Sequence, residues 1–76
     1  MDHHTTDDFD KKSLRDRGTT AGAFCRRKGY SANAAKSMLA AQATFLATDM
    51  QHLTFETRTE MLKVYAEAFL AAFQAR

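Results

Sequence analysis

Three consecutive cations, Arg26, Arg27 and Lys28, stand immediately before Gly29 in the stretch AFCRRKGYSANAAKSML, residues 23–39. No other run in the chain points so directly to an anionic partner. Lys36 follows in the same stretch, and residues 18–48 carry these four bases and no acid. Residues 1–17 hold five acids against four bases, and residues 49–76 four acids against three bases. The formal net charge of +2 therefore comes entirely from the middle segment. A local basic patch attracts phosphate backbones, acidic protein surfaces or anionic membrane.

The other chemistry-bearing residues are sparse. His3 and His4 lie near Asp2, Asp7 and Asp8, but in a segment too polar to scaffold a metal site, with no further ligand at suitable spacing. Incidental metal contact by a tail accounts for them better than a built centre. His52 reads as a surface or capping residue. Cys25 beside two arginines has the setting of a reactive thiol, yet its position facing a neighbouring helix favours an inert small core residue. Paired carboxylates, nucleophile–base pairs and glycine-rich phosphate loops are missing from the sequence. A thin helical core of this size is also poorly suited to forming a concave pocket. The expectation is a protein that is not an enzyme, with no cofactor, no metal and no small-molecule substrate.

The elements that must position the basic run are helical. The chain of 76 residues has no proline, one Val and no Ile, and is rich in Ala, Leu, Met, Gln, Lys and Arg, all good helix formers. An all-α fold follows, a small bundle of three to four helices with a long C-terminal one. Residues 1–6 are too polar to order themselves, leaving a single domain over 7–76. Thr6 is placed to cap a short helix over 7–17, with acids in its first turn and bases in its last, and Gly18 to stop it. A second helix is expected from Thr20 to Lys28, closed by Gly29. Ser31 caps a third, running to about Thr48 with Ala35, Met38, Leu39, Gln42, Phe45 and Leu46 facing inward. Thr54 caps the last helix, and Thr57 with Glu60 offers an alternative start. The small residues Ala40, Ala43, Thr44 and Ala47 flank the third helix's stripe and read as tight packing rather than a docking groove.

A chain this short buries only about 60% of its unfolded surface, and a single cysteine excludes an internal disulfide. Oligomerisation is the obvious supplement. The apolar arc of the last helix is wide, so Leu62, Tyr65, Phe69, Leu70 and Phe73 are expected to form a homodimer interface. The alternative is that the preceding helices cover that arc within one chain. A lone cysteine suits a reducing compartment, so cytoplasmic residence is expected. The absence of an apolar run long enough to cross a bilayer argues against membrane association.

The segment 20–40 also carries a recognisable spacing. Cys25 is a small residue beside Phe24, Gly29 comes four residues later, Tyr30 is the following hydrophobic and Ser31 the helix cap. Ala35 and Met38 then fall six and nine residues after the glycine. This resembles the short helix-turn-helix of small phage, plasmid and transposon DNA-binding regulators, whose segments read like FCRRxGxS. The resemblance covers about 20 residues. It implies a regulator of transcription or recombination, dimeric on a two-fold duplex DNA site. Asn33 and Lys36 would then reach base edges, with Ser31 and Ser37 beside them, while Arg26, Arg27 and Lys28 grip phosphates. A second reading has the same basic patch dock on an acidic protein surface, as in a small modulator or inhibitor carried by a mobile element. The bland reading is a solvated helix end whose cations are favoured by the helix dipole alone.

Overall fold

The computed structural model describes residues 10–75. They form three helices: α1, Lys11–Arg27; α2, Ala32–Asp49; and α3, Phe55–Gln74. The all-α bundle with a long C-terminal helix is the architecture that the composition predicts. The proposed cap at Thr6, the acids at Asp7 and Asp8, and the histidines His3 and His4 lie outside the described residues.

Each helix begins on a capped turn. Asp10, Ser31 and Thr54 all have extended backbones and accept a hydrogen bond from the amide three residues on. Those side chains satisfy amides that have no partner within the helix. Thr57 is not a helix start, contrary to the alternative weighed for it. It lies inside α3, where its hydroxyl pairs with that of Thr54 at 3.0 Å.

The sequence pattern misplaces one boundary. Gly18 does not stop a helix: the two short helices expected at 7–17 and 20–28 are one continuous helix. Glycine in a helix interior costs about 1 kcal/mol relative to alanine, and α1 contains two, Gly18 and Gly22, both buried. The compensation is tertiary. A methyl group built on Gly18 would overlap the Tyr65 carbonyl oxygen and sit 3.1 Å from the Ala68 methyl. On Gly22 it would overlap the Phe69 carbonyl oxygen and sit 3.1 Å from the Ala72 methyl. The two glycines, one turn apart, form a flat strip against which the α3 backbone lies in direct contact. Small residues one turn apart permit such close approach between helices.

Pairings along this seam fix the relative direction. Lys11 meets Glu60, Gly18 meets Tyr65 and Phe69, and Gly22 meets Phe69 and Ala72. Both numbers rise together, so α1 and α3 run parallel, and α2 leads from the end of α1 back to the start of α3. The core is Leu14, Cys25, Ala35, Leu46, Met50, Tyr65 and Phe69, drawn from all three helices and the turn after α2. Among the residues expected to face inward from α2, Ala35 and Leu46 are buried and Met38 and Leu39 half-buried. Gln42 and Phe45 are the exceptions, both exposed, Phe45 at 70%, while Met50 beyond the helix end is fully buried. Ala43 and Ala47 are half-buried, while Ala40 and Thr44 are exposed.

The Lys11–Glu60 ion pair spans 2.8 Å between the starts of α1 and α3. The lysine's hydrogen bond and its positive charge hold the Glu60 carboxyl below its ordinary value of 4.5. A depressed carboxyl pKa adds stability above the unfolded-state value, and that increment disappears as pH falls through the folded-state value. Lys11→Ala is therefore expected to lower stability slightly at neutral pH, with the difference vanishing below pH 4.5. Urea titrations of both proteins from neutral to acid pH measure this. A difference that persists unchanged in acid would remove the ion pair as its cause.

Candidate functional site: the basic hairpin tip and the adjoining groove

The basic run ends α1 and sits on a turn with defined hydrogen bonds. The Gly29 amide donates to the Arg26 carbonyl at 3.1 Å and the Tyr30 amide to the Cys25 carbonyl at 3.1 Å. Gly29 takes φ of 74°. These two bonds around a left-handed glycine are the Schellman closure of a helix. Tyr30 packs edge-on against Phe24, with ring centroids 6.2 Å apart, the apolar contact that usually accompanies this closure. The turn predicted from Gly29, Tyr30 and Ser31 is the one that forms.

A methyl group on Gly29 would meet no atom within 4 Å, so substitution there tests the backbone alone. Gly29→Ala is expected to cost about 1–2 kcal/mol, the penalty of an L-residue in the left-handed region. Gly29→Asn is expected to cost less, because Asn tolerates that conformation. Equal losses for the two variants in chemical denaturation would show that something other than φ is responsible.

Arg26, Arg27, Lys28, Ser31, Asn33, Lys36 and Ser37 are all exposed and gathered at this one end, from the last turn of α1 to the second turn of α2. Among the described residues, no carboxylate lies within ion-pairing distance of the four cations. Lys28 Nζ sits 5.7 Å above the Phe24 ring, and the other three extend from the surface. The last turn of α1 favours Arg26 and Arg27 electrostatically. The acids of α3 are elsewhere: Glu56, Glu60 and Glu67 line a shallow hollow on its outer face with Phe55 and Val64.

Cys25 is fully buried, its Sγ 3.3 Å from Met38 Sδ. It occupies the small inward position between α1 and α2 that the spacing called for. Beyond this contact the two helices line opposite walls of one groove. Thr20, Ala21 and Phe24 come from α1, and Met38, Gln42 and Leu46 from α2. The described chain measures 41 × 20 × 15 Å. An 18-residue helix is about 27 Å long, and α2 spans the distance from the end of α1 to the start of α3. The groove has a volume of about 530 Å³, within the usual range for ligand sites. A small helical chain is poorly suited to a concave pocket, and the groove it forms is open rather than enclosed. Two long helices joined by a short turn leave a trough wherever their facing side chains are small, as Thr20 and Ala21 are.

The residues expected at a dimer interface are divided by the fold. Tyr65 and Phe69 are buried, 3% and 0% exposed, in the chain's own core, beneath α1. Leu62, Leu70 and Phe73 are half-buried and packed against that core. Large apolar side chains are exposed instead at Phe24, Phe45 and Phe55. Sequence periodicity gave no sign of the groove, and the pair of glycines four residues apart was the available signal that α1 is continuous. No group of His, Cys, Asp and Glu able to hold a metal occurs among the described residues. None of their helices is long and apolar enough to cross a membrane. No family model, curated protein or solved structure is similar to this chain.

Proposed function

We propose that the protein is a small helical binding module that docks the basic tip of its α1–α2 hairpin on an acidic surface of a partner protein. The observation that carries this reading is the grouping of Arg26, Arg27, Lys28 and Lys36 at one exposed end, without carboxylate partners among the described residues. The apolar groove begins at Phe24, whose ring lies under Lys28, so cations border an apolar surface. That combination of polar rim and apolar centre is characteristic of protein–protein contacts. The charges contribute chiefly to encounter rate and salt dependence.

A second reading, a regulator that binds duplex DNA, has its own support. Ser31, Asn33, Lys36 and Ser37 are exposed along the first turns of α2, beside three cations placed to contact phosphates. In either reading a homodimer would present two tips to a two-fold target.

One pair of assays separates the two. The protein and Arg26→Glu/Arg27→Glu are used as bait in a host lysate, with captured proteins identified by cross-linking, and both are titrated against a labelled random duplex. Docking on an acidic protein predicts that a partner is cross-linked to the tip and that the double variant loses it. DNA binding predicts a retarded duplex whose affinity falls roughly 10²-fold from 50 to 200 mM salt, as expected for four phosphate contacts. If charge reversal changes neither result, the basic run is only a solvated helix end.

A further inference from the structure

The α1–α2 groove is lined by a hydroxyl that makes no hydrogen bond to the described residues. Tyr65, on its floor, is 3% exposed, and its hydroxyl has no hydrogen-bond partner among the described residues. The hydroxyl borders the open groove, so its hydrogen-bond partner comes from the groove, as solvent or as a bound group. Burial pushes the phenol pKa up, while the nearby Arg17 charge opposes that shift. The hydroxyl therefore stays a proton donor, with a guanidinium close by. Arg17 lines the same groove and makes no ion pair among the described residues. The neighbouring Asp16 carboxylate is already held by Lys12 at 3.1 Å. The remaining walls are apolar: Ala21, Phe24, Met38 and Leu46.

We propose that this groove binds an amphipathic carboxylate, its apolar chain lying on Phe24, Met38 and Leu46 and its head accepting hydrogen bonds from the Tyr65 hydroxyl and the Arg17 guanidinium. A carboxylate suits this donor pair because it offers only acceptors and carries the charge that Arg17 lacks a partner for. An alcohol leaves Arg17 uncompensated, and an ammonium opposes it. The site meets the docking surface proposed for the basic tip at Phe24, but carboxylate binding does not require that docking function.

The probe is decanoate below its micelle concentration, titrated into the full-length protein and followed by amide chemical shifts and thermal unfolding. Saturable shifts confined to residues lining the groove are expected, together with a rise in Tm. Decanol and decyltrimethylammonium are expected to bind at least ~10-fold more weakly. Arg17→Gln and Tyr65→Phe should each weaken decanoate by about 10- to 100-fold, the scale of a hydrogen bond to a charged group. Arg26→Gln/Arg27→Gln should leave its binding unchanged. Without ligand, Tyr65→Phe should unfold at about the same temperature, because the hydroxyl bonds no described residue, whereas a structural hydrogen bond would make the variant less stable. The proposal is overturned by an absence of saturable shifts, by decanol binding as well as decanoate, or by variants that bind normally. It is also overturned if the protein sediments as a dimer whose contact fills the groove.

Discussion

Gly22→Ala destabilises the protein by about 2 kcal/mol or more, and Gly22→Leu leaves it largely unfolded at 25 °C. An exposed helical glycine would give the opposite sign, since alanine there gains about 1 kcal/mol of helix propensity. At Gly22 the added methyl group would collide with the Phe69 carbonyl oxygen, and the carbonyl carbon lies 2.9 Å away. Both obstacles are backbone atoms, so no side-chain rotation relieves the overlap and α1 must move off α3. Overpacking of this kind typically costs 1–3 kcal/mol, occasionally more, and a domain this small has only about 5–10 kcal/mol in hand. Leucine forces a wider separation and uncovers Phe69 and Tyr65 as well. Urea denaturation followed by circular dichroism measures both variants. A Gly22→Ala protein more stable than the parent would mean that the close α1–α3 contact does not exist.

The second large effect separates two phenylalanines that the sequence treats alike. Phe69 is fully buried, and its truncation to alanine is expected to cost about 3–5 kcal/mol. That loss is most or all of the stability available to the chain. Phe45 is 70% exposed, and Phe45→Ala is expected to change stability by less than about 0.5 kcal/mol, as surface substitutions do. The comparison is made in the same denaturant titration at equal protein concentration. A loss above about 2 kcal/mol for Phe45→Ala would show that the residue is covered in solution, by a second copy of the chain or another partner.

Much of the candidate site was legible in the residues themselves. A glycine after a basic helix end, followed by an aromatic and a serine, specifies a Schellman closure and a new N-cap through local hydrogen bonds. Those bonds involve neighbours in sequence, so Gly29 and Ser31 sit where their types require. The same holds for Thr54 at the start of α3. The exposure of Arg26, Arg27, Lys28 and Lys36 follows from their charge.

What was not legible depends on contacts between distant residues. Gly18 resembles a helix stop because helix propensity counts only the local cost. The contacts that outweigh it, at Tyr65 and Phe69, lie more than forty residues away. Phe45 falls on the inward period of α2, but the helix faces a neighbour over only part of its circumference, and Phe45 lies outside that part. Tyr65 and Phe69 read as an interface for a second chain because a sequence does not reveal which helix covers an apolar arc. The parallel packing of α1 on α3, set by two glycines that allow backbone contact, decided that they belong to the core. Local hydrogen bonding and charge are properties of a short stretch, and the sequence by itself determined the all-α class, the caps at Ser31 and Thr54 and the basic tip. Which faces meet, and where they leave a groove, depends on side-chain volumes matched across the whole chain, and only the tertiary structure decided that.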